Sequence, residues 1–319
     1  MKKQLKYVCF GGGIGSVNVI RGLKEYSDHI SVLVSMADDG GSAGRLRRLF
    51  SIPPPGDLMN CIAALSDAEP LVRDLLTYRF RGNRWGRDDS LGGQKLGNLI
   101  LVALTNLTGS FEKGLSEAQR LFQSHGQIIP ATKENVSIWA KTLDGKKIVG
   151  EQNIDLGKYN GSRSLSEVHL EPKNPTTSKK AIEALNTGDV LIAGPGDLYT
   201  TMLPVMLVPE VKEVLFKSKA KKIFIVNVAN KPFETPNYLV SDFITAVIKH
   251  IGGFPFDYVL INNNMKKPIP KKLKYTYVVY NKNLIPNIKA KVLEKDLINE
   301  DYPLYHDSSK LSKVINNLV

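Results

Sequence analysis

Histidine, cysteine and tryptophan are scarce in this chain, which has five, two and two of them in 319 residues. Cys9 and Cys61, both in apolar surroundings, can make neither a disulfide framework nor a cysteine-rich zinc site. They suit a reducing compartment. His250 and His306 have no histidine or cysteine at metal-ligand spacing, so surface or capping roles are expected for them. No Ser-His-Asp or Cys-His set stands out, which leaves carboxylates, cations and backbone dipoles for any chemistry. No apolar run reaches the roughly 18 residues of a membrane-spanning helix. The opening MKKQLKYVCF has the charge and early hydrophobicity of a leader, but Gly11, Gly12 and Gly13 break it at once. A cytoplasmic protein with no membrane insertion is expected.

Acidic residues are in short supply too, 31 against 43 Lys and Arg, for a net charge of +12. The excess gathers late, in Lys266-Lys267 and Lys271-Lys272-Leu273-Lys274, with few aromatic residues between. No helix-turn-helix, zinc-knuckle or ribonucleoprotein signature accompanies it. A lysine-rich solvated surface follows, and nucleic acid is not an expected partner.

What is present is enough apolar sequence for a core, 42% of residues, and glycine-rich loops in telling places. The organising stretch is VSMADDGGSAGRLRRLFSIPPPGDLMNC, Val34 to Cys61. It reads as the end of a buried strand, an acidic pair, a glycine turn, an arginine-rich helix start, a proline corner and a second helix. Asp38 and Asp39 fall past the strand's carboxyl end, where open α/β sheets place ligands. Gly40, Gly41 and Gly44 allow a tight turn and close approach. Arg45, Arg47 and Arg48 have the planar fork that anion recognition uses. Asp57 and Asn60 share one side of the next helix start, where ligand contact, metal contact and capping all remain open.

Two further loops have this character. GGGIGS follows the short strand Lys6–Phe10, placing Gly11, Gly12, Gly13 and Gly15 ahead of a helix whose amides suit a phosphate. Its spacing is neither the dinucleotide GxGxxG nor a P-loop. Asp189 to Ala193 is a buried strand ending in Gly194-Pro195-Gly196-Asp197, with Thr200 and Thr201 beyond. Those hydroxyls suit phosphate binding and N-capping equally. Asn98, after Gly97, opens a long helix, and Asn227 ends the strand KIFIVN. Residues 57–80 read as one helix, 176–186 and 236–252 as others, and Tyr258–Asn262 as the strand closing the sheet. Residues 127–172 alternate in polarity around an Asp144-Gly145 turn, as a small antiparallel insertion. The whole reads as a three-layer α/β/α, doubly wound, mostly parallel Rossmann-like sheet. Its ligand would be a small phosphorylated molecule such as a dinucleotide, with magnesium held by Asp38 and Asp57 as the pair on which any catalysis would turn. The oligomeric state stays open, a homodimer included.

The motifs MADDGGSAGRLR, IPPPGDLMNCIAALS, LLTYRF, GNLILVALT, GPGDLYT and SDFITAVIKHIG, in this order, resemble the family that joins the YvcK-type gluconeogenesis factors to the phospholactate transferase CofD. The PPPGD-x-x-N corner is similar to the gluconeogenesis-factor branch. The resemblance implies one CofD-like domain over residues 1–319 with a basic extension at 264–319. It implies a regulatory protein of cell shape and wall precursor metabolism that binds UDP-N-acetylglucosamine, or else a magnesium-dependent transferase. It marks Gly11, Gly12, Gly13 and Gly15 as phosphate-side backbone, Asp38, Asp39, Asp57 and Asn60 as polar site groups, and Asn98, Gly194, Gly196 and Asn227 as crevice lining. Departures from the family pattern fall at Ile14, Met59, Gln94, Lys95, Asp197, Ala229, Asn230, Lys231 and Phe233. The glycines persist while polar side chains change, which implies an altered ligand preference on an unchanged scaffold.

Overall fold

The computed structural model describes residues 4–160 and 164–319. Strand β1 (Tyr7–Gly11) feeds helix α1 (Ile14–Leu23), and β2 (Ile30–Val34) feeds α2 (Gly41–Phe50). Four helices, α3 (Gly56–Leu65), α4 (Pro70–Thr77), α5 (Leu96–Thr108) and α6 (Phe111–Leu121), follow before β3 (Gln127–Pro130). Then come β4 (Ser137–Thr142), β5 (Lys147–Val149), α7 (Glu151–Asp155) and β6 (Leu165–Glu171). Alternation resumes with α8 (Lys179–Thr187), β7 (Val190–Ala193), a π-helical turn at Leu198–Met202, α9 (Leu203–Met206) and α10 (Pro209–Lys217). The last part holds β8 (Lys221–Ile225), β9 (Ala229–Asn230), α11 (Val240–Ile251), β10 (Tyr258–Asn262), β11 (Thr276–Tyr277), β12 (Lys291–Lys295) and α12 (Ser308–Asn316).

Seven strands form one parallel sheet in the order β12-β10-β8-β7-β1-β2-β3. Every residue of β1 and β7 is buried, as their unbroken apolar sequence requires of strands covered on both faces. The doubly wound reading is therefore correct, and a separate antiparallel sheet of order β5-β4-β6 accompanies it. Gly145, at φ +86°, sits in the turn between β4 and β5.

Several boundaries differ from the sequence expectation. Gln127–Pro130 does not belong to the antiparallel insertion; it pairs parallel with β2 as the sheet's edge. Its four residues were too few to show a period of their own. Tyr258–Asn262 does not close the sheet, because β12 pairs parallel beyond it. The segment 264–319 is thus partly built into the domain, and its Tyr275–Tyr280 stretch pairs with β9 rather than the main sheet. Residues 57–80 break into two helices at Ser66, whose hydroxyl donates to the Phe122 carbonyl, with Pro70 starting the second. No helix among the described residues is long and apolar enough to cross a membrane.

Helix α12 docks on α1 through a glycine. A methyl group at Gly22 would collide with the Ser308 carbonyl and lie 2.8 Å from Ser312 Oγ. Gly22→Ala should therefore cost about 1–3 kcal/mol of stability, read as a lower urea midpoint. An unchanged midpoint would show that α12 is not seated there.

Candidate functional site

All seven strands point one way, so their carboxyl ends share a rim. Chain order reverses between β1 and β7, which are hydrogen-bonded neighbours although their residues lie far apart in sequence. Parallel sheets bind ligands outside such a switch point. Here the two flanking loops touch, because a Cβ on Gly15 would fall 2.5 Å from the Pro195 carbonyl oxygen. Glycine at position 15 is what lets the start of α1 sit against the loop after β7. Above this contact lies a crevice of about 540 Å³.

Four helices begin at its wall. The capping positions of α1, α2, α3 and α5 are Gly13, Gly40, Pro55 and Lys95, and none makes a side-chain cap. Elsewhere Ser110, Ser178 and Asp307 cap α6, α8 and α12 with their side chains, while α4, α7, α9 and α10 also start without one. Open first turns carry unpaired N–H groups and the positive end of the helix dipole, a combination that suits an anion, although in α5 the Leu96 amide already donates to the Tyr78 carbonyl at 2.9 Å. Arg79, Arg84 and Lys95 add full positive charge to the same wall.

Acids face them. Asp38 Oδ1 accepts from the Gly40 amide at 2.9 Å. Burial, and then the neighbouring Asp57, push its carboxyl up to about 7. Burial also raises Asp57 to about 6, opposed by the positive charge of Lys95. Lys95 Nζ donates to Asn60 Oδ1 at 2.6 Å. Burial, and then Arg79, hold the Lys95 ammonium below its ordinary range. Glu151, on α7, is held well above the carboxylate range by burial and by Asp38.

A second cluster lies under the β7 and β8 loops. Asp155, Asp197 and Glu234 each offer a carboxylate oxygen within 4.8 Å of the others. The Lys231 ammonium sits among them, donating to Asp197 Oδ2 at 2.6 Å and to Asp155. Thr200 Oγ1 donates to Glu234, whose carboxyl burial pushes up to about 8. Two of the departures from the family pattern, Asp197 and Lys231, are therefore one ion pair.

Of the candidate residues, Gly13, Gly15, Asp38, Asp57, Asn60, Asn98, Gly196, Asp197, Thr200 and Asn227 line the crevice. Asn227 Oδ1 accepts from the Gly196 amide at 3.0 Å and so shapes the β7 loop. Gly11, Gly12 and Gly194 lie behind the wall, where added methyl groups would strike Ser16, Asp57 and Met202 respectively. Asp39 does not face the crevice. Its Oδ1 accepts from the Gln152 amide at 2.8 Å and pins α7 to the β2 loop. Arg45 does not bind an anion there either; it is 1% exposed and donates to the carbonyls of Asn83, Ser90 and Gly92. Arg48 pairs with Asp88, with Nη2 2.8 Å from Oδ1. Arg47 donates to the Met36 and Asp38 carbonyls at 3.1 Å. These arginines hold the 81–93 loop and the β2 loop in place, and the loop in turn delivers Arg84 and Trp85. Met59 is in the core, 1% exposed, away from the crevice.

Arg79, Arg84, Trp85, Glu151, Asp155, Tyr275 and Tyr305 also line the crevice without having been singled out as site residues, and of these Arg79 lies inside the motif LLTYRF; His306, expected at the surface, lines it too. His306 is not a surface residue but 2% exposed, and burial pulls its pKa down to about 4. His250 is likewise half-buried, accepting from the Val168 amide through Nε2 at 2.9 Å.

A doubly wound parallel sheet with a crevice at its switch point is an α/β architecture that places its ligand sites at that point. The 2-phospho-L-lactate transferase CofD family matches residues 7–311, and the chain belongs to this family. Similar proteins include an Aquifex aeolicus relative, 40% identical over 98% of this chain and 96% of its own. The gluconeogenesis factor of Bacillus subtilis is 37% identical over 100% of this chain and 99% of its own. A crystal structure of a Bacillus halodurans protein matches with a TM-score of 0.89 and 34% identity, covering 98% of this chain and 100% of that one.

Two outcomes test the electrostatics. Asp38 titrates near 3.8 when unfolded and about 7 when folded, so the native state binds the extra proton between those values. Stability then falls as pH rises through that window and stays low above it. Asp38→Asn should stabilise the protein by about 1–3 kcal/mol at pH 8 and change little at pH 4; equal urea midpoints at pH 8 would contradict this. Removing the ammonium with Lys231→Met should cost about 3–5 kcal/mol at neutral pH, with the loss shrinking in acid as the carboxyls protonate. A midpoint that does not move at neutral pH would show the three acids need no counter-charge.

Proposed function

We propose that this protein is a gluconeogenesis factor in the sense of its relatives, a cytoplasmic regulatory protein that binds a nucleotide sugar or closely related nucleotide diphosphate in the β1/β7 crevice. Its output would be control of cell shape and wall precursor metabolism. The name rests on the family and on the gluconeogenesis factor of Bacillus subtilis. The ligand reading rests above all on the four helix starts left without side-chain caps around one crevice. A diphosphate supplies the acceptors those amides lack, and it carries charge that Arg79, Arg84 and Lys95 offset. Tyr275 and Tyr305, brought in from the β9–β11 and β12 side of the sheet, offer aromatic surface for a base.

A transferase reading is favoured by a different observation. Burial raises both Asp38 and Asp57 on one wall, Asp57 raises Asp38 further, and a divalent cation between them would relieve that charge burial. Those two carboxylates would hold magnesium, which supplies Lewis-acid stabilisation to a transferring phosphoryl group.

Calorimetric titration with UDP-N-acetylglucosamine, UDP and NAD, with magnesium or with chelator, tests both. Binding of the sugar nucleotide in chelator, weakened about 10–100-fold by Arg84→Ala, supports the regulatory reading. Binding that requires magnesium and is lost in Asp38→Asn supports the transferase. No binding of any of the three would overturn the ligand class.

A further inference from the structure

One polar side chain in the crevice wall has no partner at all. Asn98, in the first turn of α5, is 0% exposed, and both its Oδ1 and its Nδ2 lack a hydrogen bond. It nevertheless lines the crevice. Its neighbours along the wall are satisfied: Lys95 donates to Asn60, and Asn60 in turn bonds Asp57. Buried polar groups are almost always paired, so a wholly unpaired carboxamide on a crevice-lining residue calls for a partner brought by the ligand.

The chemistry of the carboxamide limits what that partner is. It presents two donor hydrogens and a carbonyl acceptor side by side. A phosphate oxygen accepts only; it would satisfy Nδ2 and set a negative oxygen against Oδ1. A hydroxyl or an N-acylamino group both donates and accepts, and so satisfies each half. The topology orders the ligand along the crevice. Tyr275 and Tyr305 come from the β8–β12 half of the sheet, across the β1/β7 switch point from the helices that follow β2. Asn98 comes from the other half, on the helices that follow β2. A nucleotide sugar laid across the switch point with its base among the tyrosines puts its glycosyl group at Asn98.

We infer that Asn98 is the specificity-determining residue for the glycosyl group, reading a hydroxyl or N-acylamino substituent of the sugar and not the diphosphate. This rests on the nucleotide-sugar reading above. The test titrates wild type, Asn98→Leu and Asn98→Ser with UDP, UDP-glucose and UDP-N-acetylglucosamine, and records ligand-free melting temperatures. Asn98→Leu should weaken the sugar nucleotides by about tenfold or more and leave UDP within about twofold. Its ligand-free melting temperature should equal or exceed that of wild type, since an unpaired carboxamide has been replaced by apolar surface. Asn98→Ser, which keeps a donor and an acceptor, should fall between the two and serves if the leucine variant does not fold. Equal losses for UDP and the sugar nucleotides would overturn the assignment by placing Asn98 at the phosphates. So would unchanged binding of every ligand by both variants. A wild type that binds UDP but gains nothing from the sugar also overturns it, whereas a wild type that binds none of the three overturns the nucleotide-sugar reading itself and this inference with it.

Discussion

The site depends on the place where two distant parts of the chain come into contact. Gly15 and the Pro195 carbonyl are so close that no side chain fits between them. That contact brings the start of α1 and the β7 loop together at the point where the sheet reverses its winding. The sheet supplies the rest: its strands are parallel, their carboxyl ends share a rim, and helices that leave the rim begin at the crevice. Loosening this contact would spread the amides without changing any polar side chain.

Charge is the second constraint. The crevice collects Asp38, Asp57, Glu151, Asp155 and Asp197, yet it belongs to a chain with an excess of lysine and arginine. Burial already lifts several of these carboxyls towards their neutral forms. The Asp155–Asp197–Glu234 group is stabilised by an internal ammonium, that of Lys231. Among the described residues the Asp38–Asp57 pair is offset only by the nearby positive charges of Lys95 and Arg84. The two acidic clusters are therefore unequal, one with an ammonium seated inside it and one without.

Much of this was legible in the sequence because glycine and buried apolar strands report backbone requirements directly. The loops at Gly13–Gly15, Asp38–Gly40 and Gly194–Asp197 could be placed on one rim from strand-loop-helix order alone. Side-chain direction was not legible. Arg45 and Asp39 sit beside true site residues in sequence, but in a helix or turn adjacent positions face different ways. Arg45 turned inward to three carbonyls, and Asp39 to the amide of Gln152. Arg84, Asp155 and Tyr305 could not be anticipated, since only long-range packing carries their segments to the crevice. β12, at the far edge of the sheet, was hidden because KVLEK is half polar, as an edge strand can afford to be.

The central claim is that the helix starts around the switch point are what hold the ligand. Hydrogen–deuterium exchange of the full chain, with and without saturating UDP-N-acetylglucosamine, reads those amides directly. Slowed exchange at residues 13–16, 41–43, 56–58 and 97–98, with the rest of the sheet unchanged, is the predicted result. Protection confined instead to the separate cavity between His169 and His250, with none at the four helix starts, would contradict it.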